Sequence, residues 1–236
     1  MNKFNCLLYH QIKNNGDKYT LSQSSFIRQL DLINSHRYNA TSIDKIGMKD
    51  SFNGVAITFD DGFKSDLWVG EKLLEYGYSA TFYLVKDFIE SNSKIYLNRQ
   101  HVKQLAIMGH EIGVHGKTHD AWTLKPKDIV LTELIETKNW LEDLTGVEVS
   151  TCSAPGGKIN REIIEELTQN DQFKSVRNSI PWFNSINAFE INATVILRDD
   201  YDSSFLKKLN GDTLYYNYLF SKQKLKDRVI KKLIEK

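Results

Sequence analysis

The chain has 236 residues, of which 41% are hydrophobic and 26% are charged. A chain of this size and composition can bury a substantial core, and it predicts one compact domain over residues 1–236. The formal net charge of +1 at pH 7 argues against a nucleic-acid partner, because phosphate binding normally requires a strong basic excess.

The first apolar run is short and ends at a histidine. Residues 6–9 read CLLY and are followed by His10, so the run is too short for the apolar region of a signal peptide. We also find no stretch long enough to cross a membrane, and we expect a cytoplasmic protein. Cys6 and Cys152 both fall in predicted buried strands and are expected to remain reduced.

Helical patterns recur between the apolar runs. Ser22 predicts the start of a helix that carries Phe26, Leu30 and Ile33 on one face. Further helices are expected over residues 65–76, 99–108, 126–145 and around 163–167. Strands that alternate with helices predict parallel pairing, in a barrel or an open doubly wound sheet. Residues 86–98 and 178–192 show no regular pattern and are expected to form loops over the mouth of that sheet.

Two adjacent carboxylates follow a predicted strand. Residues 58–62 read TFDDG, in which the apolar run over 55–59 ends at Asp60 and Asp61. An Asp-Gly turn would explain one of these carboxylates but not the second. Neighbouring like charges cost free energy unless a cation or a hydrogen-bond network compensates them. The pair therefore indicates a cation site as an alternative to a simple turn.

Two histidines are candidates for the same site. His115 and His119 follow a short strand-like stretch, residues 109–114, that reads GHEIGV. Neutral imidazole and carboxylate together suit zinc or a similar divalent ion. One carboxylate and two imidazoles would leave coordination positions open, as in catalytic rather than structural metal sites.

These motifs resemble the first two motifs of the polysaccharide deacetylases, the carbohydrate esterases built on the NodB homology domain. Three further segments extend the resemblance over residues 4–200, namely LYH at 8–10, SATFY at 79–83 and APGG at 154–157. The resemblance implies a distorted, TIM-barrel-like α/β barrel of about seven parallel strands. It also implies metal-dependent removal of acetyl groups from N-acetylated sugars.

The resemblance also implies a role for each motif residue. Asp60 corresponds to the general base, whereas Asp61, His115 and His119 correspond to the metal ligands. The division is chemically reasonable, because a carboxylate coordinated to an ion is a poor base. Zinc is the expected ion, with cobalt, nickel or manganese as alternatives. The segment of Pro155 and Gly156 corresponds to the third motif, whose backbone N–H would stabilise the oxyanion.

The chain departs from the family pattern at two positions. Ser153 stands where many members have an arginine that holds the base, and no histidine follows His119 to act as the late general acid. By elimination His10 is the candidate acid, because the carboxyl ends of parallel strands open onto one face. Capping of its strand, or contact with a residue behind the site, is an equally open interpretation of His10.

Two arginines are candidates to replace the missing one. Arg177 follows the segment FKSV at 173–176, and Arg198 follows the apolar run VIL at 195–197, so each is expected to close a strand. Either can pair with Asp60 or bind an anionic part of the substrate, since guanidinium matches carboxylate and phosphate geometry. A surface ion pair is the alternative for each. Trp182, in the second predicted loop, is a candidate for stacking on a sugar ring, with packing beneath the loop as its alternative.

Residues 222–236 alternate lysine or arginine with apolar positions that fall on one helical stripe. An anionic membrane surface is a conceivable partner, although a basic amphipathic helix that closes a soluble domain is commoner. The sequence carries no signal for the oligomeric state.

The sequence predicts a metal-dependent hydrolase that removes acetyl groups from an N-acetylated sugar. The substrate would be a polysaccharide, an oligosaccharide, or a lipid-linked or nucleotide-linked glycan precursor. One alternative is hydrolysis of another small amide or imide on the same scaffold. The other is a non-hydrolytic carbohydrate-binding or accessory protein, which the missing late histidine and missing arginine suggest.

Overall fold

Strands and helices alternate along the protein, whose computed structural model describes residues 3–47 and 52–234. The strands are β1 (Lys3–Tyr9), β2 (Asn39–Thr41), β3 (Gly54–Phe59), β4 (Thr81–Leu84), β5 (Glu111–Val114), β6 (Thr151–Ser153), β7 (Ser175–Arg177), β8 (Asn184–Ser185), β9 (Glu190–Ile191) and β10 (Thr194–Val195). The helices are α1 (Gln23–Ser35), α2 (Ile43–Gly47), α3 (Ser65–Glu75), α4 (Lys86–Glu90), α5 (Arg99–Ile107), α6 (Lys127–Thr145), α7 (Arg161–Gln169), α8 (Asp202–Leu209) and α9 (Thr213–Ile234). Single 3-10 turns lie at Trp122–Leu124 and Pro155–Gly157.

The strands form one nearly closed barrel. Neighbouring strands follow the order β10-β1-β3-β4-β5-β6-β7-β9, with β2 also beside β3, and these pairs are all parallel. Only residues 192 and 193 separate β9, which pairs with β7, from β10, which pairs with β1. That one segment joins the two edges of the sheet. The predicted barrel of parallel strands is therefore confirmed, with the short antiparallel strand β8 added beside the start of β1.

Side chains along the strands alternate between two hydrophobic cores. In β1, Leu7 and Tyr9 pack in the outer core between sheet and helices, whereas Cys6 and Leu8 pack in the inner core within the barrel. Strand β3 repeats the alternation, with outer residues Val55, Ile57 and Phe59 and inner residue Ala56. Cys6 lies in the inner core and Cys152 in the outer core, and both are buried free thiols as expected.

The predicted helices pack around the outside of this barrel. Ser22 caps α1, since its side chain accepts a hydrogen bond from the Ser25 backbone N–H. Helix α6 ends at Gly146, whose φ of 73° is left-handed as a helix stop requires. The third residue of α5, His101, completes a capping box with Asn98, which gives this histidine a structural role.

Three local expectations need correction. Residues 86–90 form α4 rather than a loop, because Ile89 is buried and a helical turn satisfies the backbone there. The predicted loop over 178–192 contains two short strands, β8, which pairs with β1, and β9, which pairs with β7. The last helix begins at Thr213 rather than near residue 222. No helix in the described ranges is both long and apolar enough to cross a membrane.

Candidate metal site and active site

The alternation of the strands brings distant polar residues to the inner side of the barrel mouth. Asp60 and His115 each follow an outer-core residue at the ends of β3 and β5, and Arg177 follows the outer-core Val176 in β7. The next side chain along each strand therefore points inward. Their contacts confirm this convergence. Arg177 binds Asp60, and Nε2 of His115 lies 3.6 Å from Oδ2 of Asp60.

Asp61, His115 and His119 form a compact cluster at this mouth. One ligand atom from each residue lies within 4.8 Å of the others. Asp61 Oδ1 is 3.0 Å from His119 Nε2 and 3.4 Å from His115 Nε2. Three residues that are separated along the sequence thus present a carboxylate and two imidazoles to one point.

The hydrogen bonds of His115 leave a lone pair directed at this point. Its Nδ1 lies 3.0 Å from the Ser153 carbonyl oxygen, which can only accept, so Nδ1 carries the proton. Nε2 then faces Asp61 Oδ1 as an acceptor, and that buried oxygen has no hydrogen-bond donor in the described part of the chain. Converging lone pairs repel one another unless a cation lies between them. The three residues therefore fit a divalent ion.

Two of the three cluster residues need an unusual backbone. Asp61 has a φ of 77° and His119 a φ of 68°. Both values lie in the left-handed backbone region, which residues other than glycine rarely adopt. Such conformations cost of order 1–3 kcal/mol and are found preferentially at functional sites. Neither residue lies within a strand, and the turns that carry them redirect their side chains toward His115.

Charge interactions within the cluster favour an ionised carboxylate. Burial alone would raise the pKa of Asp61, but its contacts with His115 and His119 hold that pKa well below its usual range. Contact with Asp61 in turn raises the pKa of His119. Asp61 is thus favoured in its ionised form, which is the form that binds a metal ion.

Asp60 lies beside this cluster and has a partner of its own, Arg177. Arg177 Nη2 donates to Asp60 Oδ1 at 2.6 Å and also contacts Oδ2. The guanidinium is 0% exposed, lies 5.0 Å from the Tyr83 ring centroid and donates through Nη1 to the Asn178 carbonyl oxygen. Because the guanidinium is fully buried and both of its Nη groups are bonded within the protein, Arg177 is not available to bind substrate. The expectation of a substrate contact is corrected in favour of its alternative, pairing with Asp60.

His10 lies at the edge of the same site. Its ring is 5.2 Å from the Tyr19 ring, and its Nδ1 is buried without a hydrogen-bond partner among the described residues. Burial lowers the pKa of His10, whereas the charges of Asp60 and Asp61 act in the opposite direction. His10 is therefore close enough to both carboxylates to interact with them, with one nitrogen unpaired.

The third-motif segment lies beside the metal histidines. Pro155 begins the 3-10 turn after β6, and a Cβ on Gly116 would lie 3.6 Å from its ring. Gly156 has a φ of 69°, which glycine adopts at little cost. The turn thus borders the segment that carries His115, as the proposed oxyanion contact requires.

Two other candidates lie away from the cluster. The Arg198 side chain is exposed and its Nε donates to the Thr20 carbonyl oxygen at 3.2 Å, so it braces the loop that contains Tyr19. Trp182 is half-buried and packs against Phe183 and against Phe220 of α9. Among the described residues Asp60 pairs with Arg177 rather than with Arg198. Binding of substrate by Arg198 and stacking of Trp182 on a sugar ring stay predictions.

An aromatic stack that the sequence analysis did not identify supports His119. The Phe88 ring of α4 lies 5.5 Å from the His119 ring and stacks on Tyr96 at 4.3 Å. Tyr96 stacks on Phe63 at 5.4 Å, and a single β-bridge joins the backbones of these two residues. Phe63 follows the Asp-Asp-Gly turn directly, so the stack connects the two turns that carry Asp61 and His119. The aromatic residues of the predicted loop were the available sequence signal.

Asp66 is a second residue that was missed. This carboxyl in the first turn of α3 is 0% exposed, and its Oδ2 has no hydrogen-bond partner within the described ranges. Burial and then the charge of Asp61 raise its pKa well above the usual range. A protonated Asp66 adds no third negative charge beside Asp60 and Asp61. The sequence signal for Asp66 was an acidic residue on the buried side of α3, the helix that directly follows the Asp-Asp-Gly motif.

Fold and site together define a class, the parallel α/β barrels with an Asp/His/His cluster at the carboxyl ends of their strands. Comparison with known proteins identifies the family within that class. The sequence model of the family described as polysaccharide deacetylase matches residues 48–172, more than half of the chain. The chain belongs to the polysaccharide deacetylase family.

Individual relatives agree with this assignment. The chain is 29% identical over 115 residues to the peptidoglycan-N-acetylglucosamine deacetylase PgdA of Listeria monocytogenes, covering 48% of this chain but only 23% of that protein. Among solved structures, the Streptococcus pyogenes deacetylase PplD has a TM-score of 0.79 at 19% identity, over 88% of this chain and 98% of that one. A de-N-acetylase from Aggregatibacter actinomycetemcomitans has a TM-score of 0.75 at 17% identity, over 88% of this chain and 100% of that one. These two structures share the fold.

Proposed function

We propose that this protein is a metal-dependent hydrolase that removes the acetyl group from an N-acetylated sugar of a polysaccharide, an oligosaccharide or a glycan precursor. The observation that carries the proposal is the convergence of Asp61, His115 and His119 beside a second carboxylate, Asp60, which is paired with Arg177. Membership of the polysaccharide deacetylase family supports the N-acetylated carbohydrate as substrate class.

The metal ligands would be Asp61, His115 and His119, and zinc suits this donor set. A divalent ion bound there would supply Lewis-acid polarisation of the acetyl carbonyl and would acidify a water molecule. Asp60 would accept the proton of the attacking water, since the Arg177 contact orients its carboxylate. The backbone N–H of Gly156 would stabilise charge on the carbonyl oxygen.

Loss of the amine requires a proton, which we assign to His10. Its Nδ1 is buried and unpaired, and the ring interacts with the charges of Asp60 and Asp61. Histidine is the side chain best suited to proton transfer near neutral pH. This assignment compensates for the absence of any histidine after His119.

The test is acetate release by protein supplied with zinc or cobalt, using a panel of N-acetylated sugars and oligosaccharides. We expect Asp60→Asn to reduce release by at least about a hundredfold while the bound metal is retained, because general-base catalysis contributes on that scale. Asp128→Asn, an exposed change in the first turn of α6, is the matched control and should remain active.

The alternatives give different results in the same assay. Release of a different amine or acid from small amides or imides, with no acetate from sugars, would identify another hydrolase on this scaffold. Sugar binding without release, unaffected by Asp60→Asn, would identify a carbohydrate-binding protein. The cytoplasmic location expected from the sequence remains a prediction, for which cell fractionation is the measurement.

A further inference from the structure

Helix α9 carries a stripe of large apolar side chains on its outer surface. Leu214, Tyr218 and Leu225 are 83%, 56% and 64% exposed. They are four and seven residues apart, so at 3.6 residues per turn they lie on one face of the helix. Exposure of three such residues along one helix face exceeds the scattered apolar exposure of ordinary surfaces.

The other face of α9 is fixed to the barrel. Tyr216 is 0% exposed, and Phe220 packs against Trp182. Asp227 forms an ion pair with Lys158 at 2.9 Å. The helix is therefore docked through one face, and the stripe is left outward in the structure.

Positive charge surrounds the stripe. Residues 222–236 contain seven lysines or arginines and two acidic residues, a net charge of +5, although the whole chain has a net charge of +1. On the helix, Lys222 flanks the stripe on one side and Arg228 on the other, and both are exposed. The remainder of the chain is accordingly negative, so the basic charge is concentrated in this C-terminal segment of the sequence.

We propose that this face of α9 binds the surface of a bilayer that contains anionic lipids. The partner must bind both the apolar stripe and the basic side chains that flank it. A nucleic acid or a soluble polyanion would bind the cations but not the leucines, whereas an uncharged protein surface would cover the leucines only. The boundary between headgroups and acyl chains provides anionic phosphates and apolar chains at adjacent depths.

The position of α9 relates this surface to the active site. Lys158, which binds Asp227, follows the Pro155–Gly157 turn at the barrel mouth. Docking through α9 would keep that mouth near the bilayer, where a lipid-linked glycan would lie. This consequence rests on the proposed function, whereas membrane binding itself does not.

The experiment is co-sedimentation of the full-length protein with phosphatidylcholine vesicles, with and without phosphatidylglycerol, at low and at high ionic strength. We expect binding only to vesicles with phosphatidylglycerol, and weaker binding at high salt. Lys222→Glu/Lys226→Glu/Arg228→Glu should lower the affinity at least roughly fivefold for each reversed cation. Leu214→Ser/Leu225→Ser should also weaken binding.

The matched control reverses three exposed lysines elsewhere, in Lys13→Glu/Lys94→Glu/Lys103→Glu, and should bind as the unmodified protein does. Unchanged thermal unfolding of the variants would confirm that each is folded. Failure of the unmodified protein to pellet with anionic vesicles, or equal pelleting of the α9 and control variants, would overturn the proposal. Unchanged binding of the Leu214→Ser/Leu225→Ser variant would also overturn it, because it would indicate a purely electrostatic contact. Acetate release is not used in this assay, so its outcome is independent of the proposed activity.

Discussion

At the level of single residues, an arginine on β7 replaces the one expected on β6. Ser153 occupies the position where many family members have the arginine, and Arg177 is its direct partner in the register between β6 and β7. Both side chains follow outer-core residues and point to the inner side of the mouth. A guanidinium one strand away can therefore reach Asp60, while the smaller Ser153 contacts His115.

This pairing predicts strong coupling between Arg177 and Asp60. Arg177→Gln leaves a buried carboxylate without its cation, so the free energy of unfolding should fall by about 3 kcal/mol. Asp60→Asn/Arg177→Gln removes both charges and should be more stable than Arg177→Gln alone, although it would be inactive. Urea unfolding of the four proteins at equal metal content measures the coupling. Additive effects of the two substitutions would contradict the pairing.

The proposed role of His10 predicts a specific pH dependence. A proton donor must be protonated before it acts, and burial lowers the pKa of His10 from its ordinary value of 6.5. Turnover should therefore fall as the pH rises through that lowered pKa, which places this basic limb on the acidic side of neutrality. His10→Gln should lower turnover and abolish the limb. An unchanged pH profile in His10→Gln would exclude His10 as the donor.

At the level of elements, the ends of β5 and β6 determine how His115 is presented. Ser153 contacts Nδ1 of His115 twice, through its carbonyl oxygen at 3.0 Å and its Oγ at 2.6 Å. These contacts hold the ring so that Nε2 faces Asp61. Strands β5 and β6 are neighbours with Val114 opposite Cys152, so the contact depends on that register.

Ser153 is therefore expected to affect metal binding without contacting the metal. Ser153→Ala removes the hydroxyl and keeps the carbonyl contact, so metal affinity should fall by about tenfold, at the low end for residues that orient a ligand. Competition with a chromophoric chelator gives the affinity. Ser153→Thr, which retains a hydroxyl, should restore it in part. Ser175→Ala, at a buried serine of β7 that contacts Thr151 instead, is the control.

At the scale of the whole molecule, His110 connects separate elements through a neutral ring. The Ala80 backbone N–H donates to Nδ1 at 3.2 Å, and the ring is joined through Nε2 to the Gly70 carbonyl oxygen at 3.1 Å. An acceptor at Nδ1 and a donor at Nε2 require the uncharged tautomer. Burial lowers the pKa of His110 to about 4. Acid would therefore break a contact between α3 and the start of β4.

This histidine predicts a loss of stability in acid. Between pH 6.5, the ordinary pKa, and about pH 4 the unfolded chain takes up a proton that the folded chain does not. The free energy of unfolding should therefore decrease as the pH falls through that window, by about 3 kcal/mol for this residue. Denaturant unfolding at a series of pH values is the measurement. His110→Gln should flatten the slope, whereas His36→Gln, at the exposed end of α1, should leave it unchanged.

The sequence by itself determined the strands, the helices around them and the four principal site residues. Each of these signals is local. A strand that ends at an Asp-Asp-Gly turn, a capped helix and two histidines four residues apart are patterns that neighbouring residues complete among themselves. The expected parallel pairing also predicted that residues at the carboxyl ends of strands, such as Asp60 and His115, open onto one face of the barrel.

Only the tertiary structure decided which residues support that site. Arg177 reaches Asp60 because β7 lies beside β6 in a specific register, and Trp182 packs against Phe220 because α9 lies beside its loop. Arg198 also follows a predicted strand, as Arg177 does, yet it braces a loop instead. Contacts of this kind depend on which segments become neighbours across the barrel. Which segments become neighbours depends on the packing of the whole chain, so no single sequence motif is sufficient to predict these contacts.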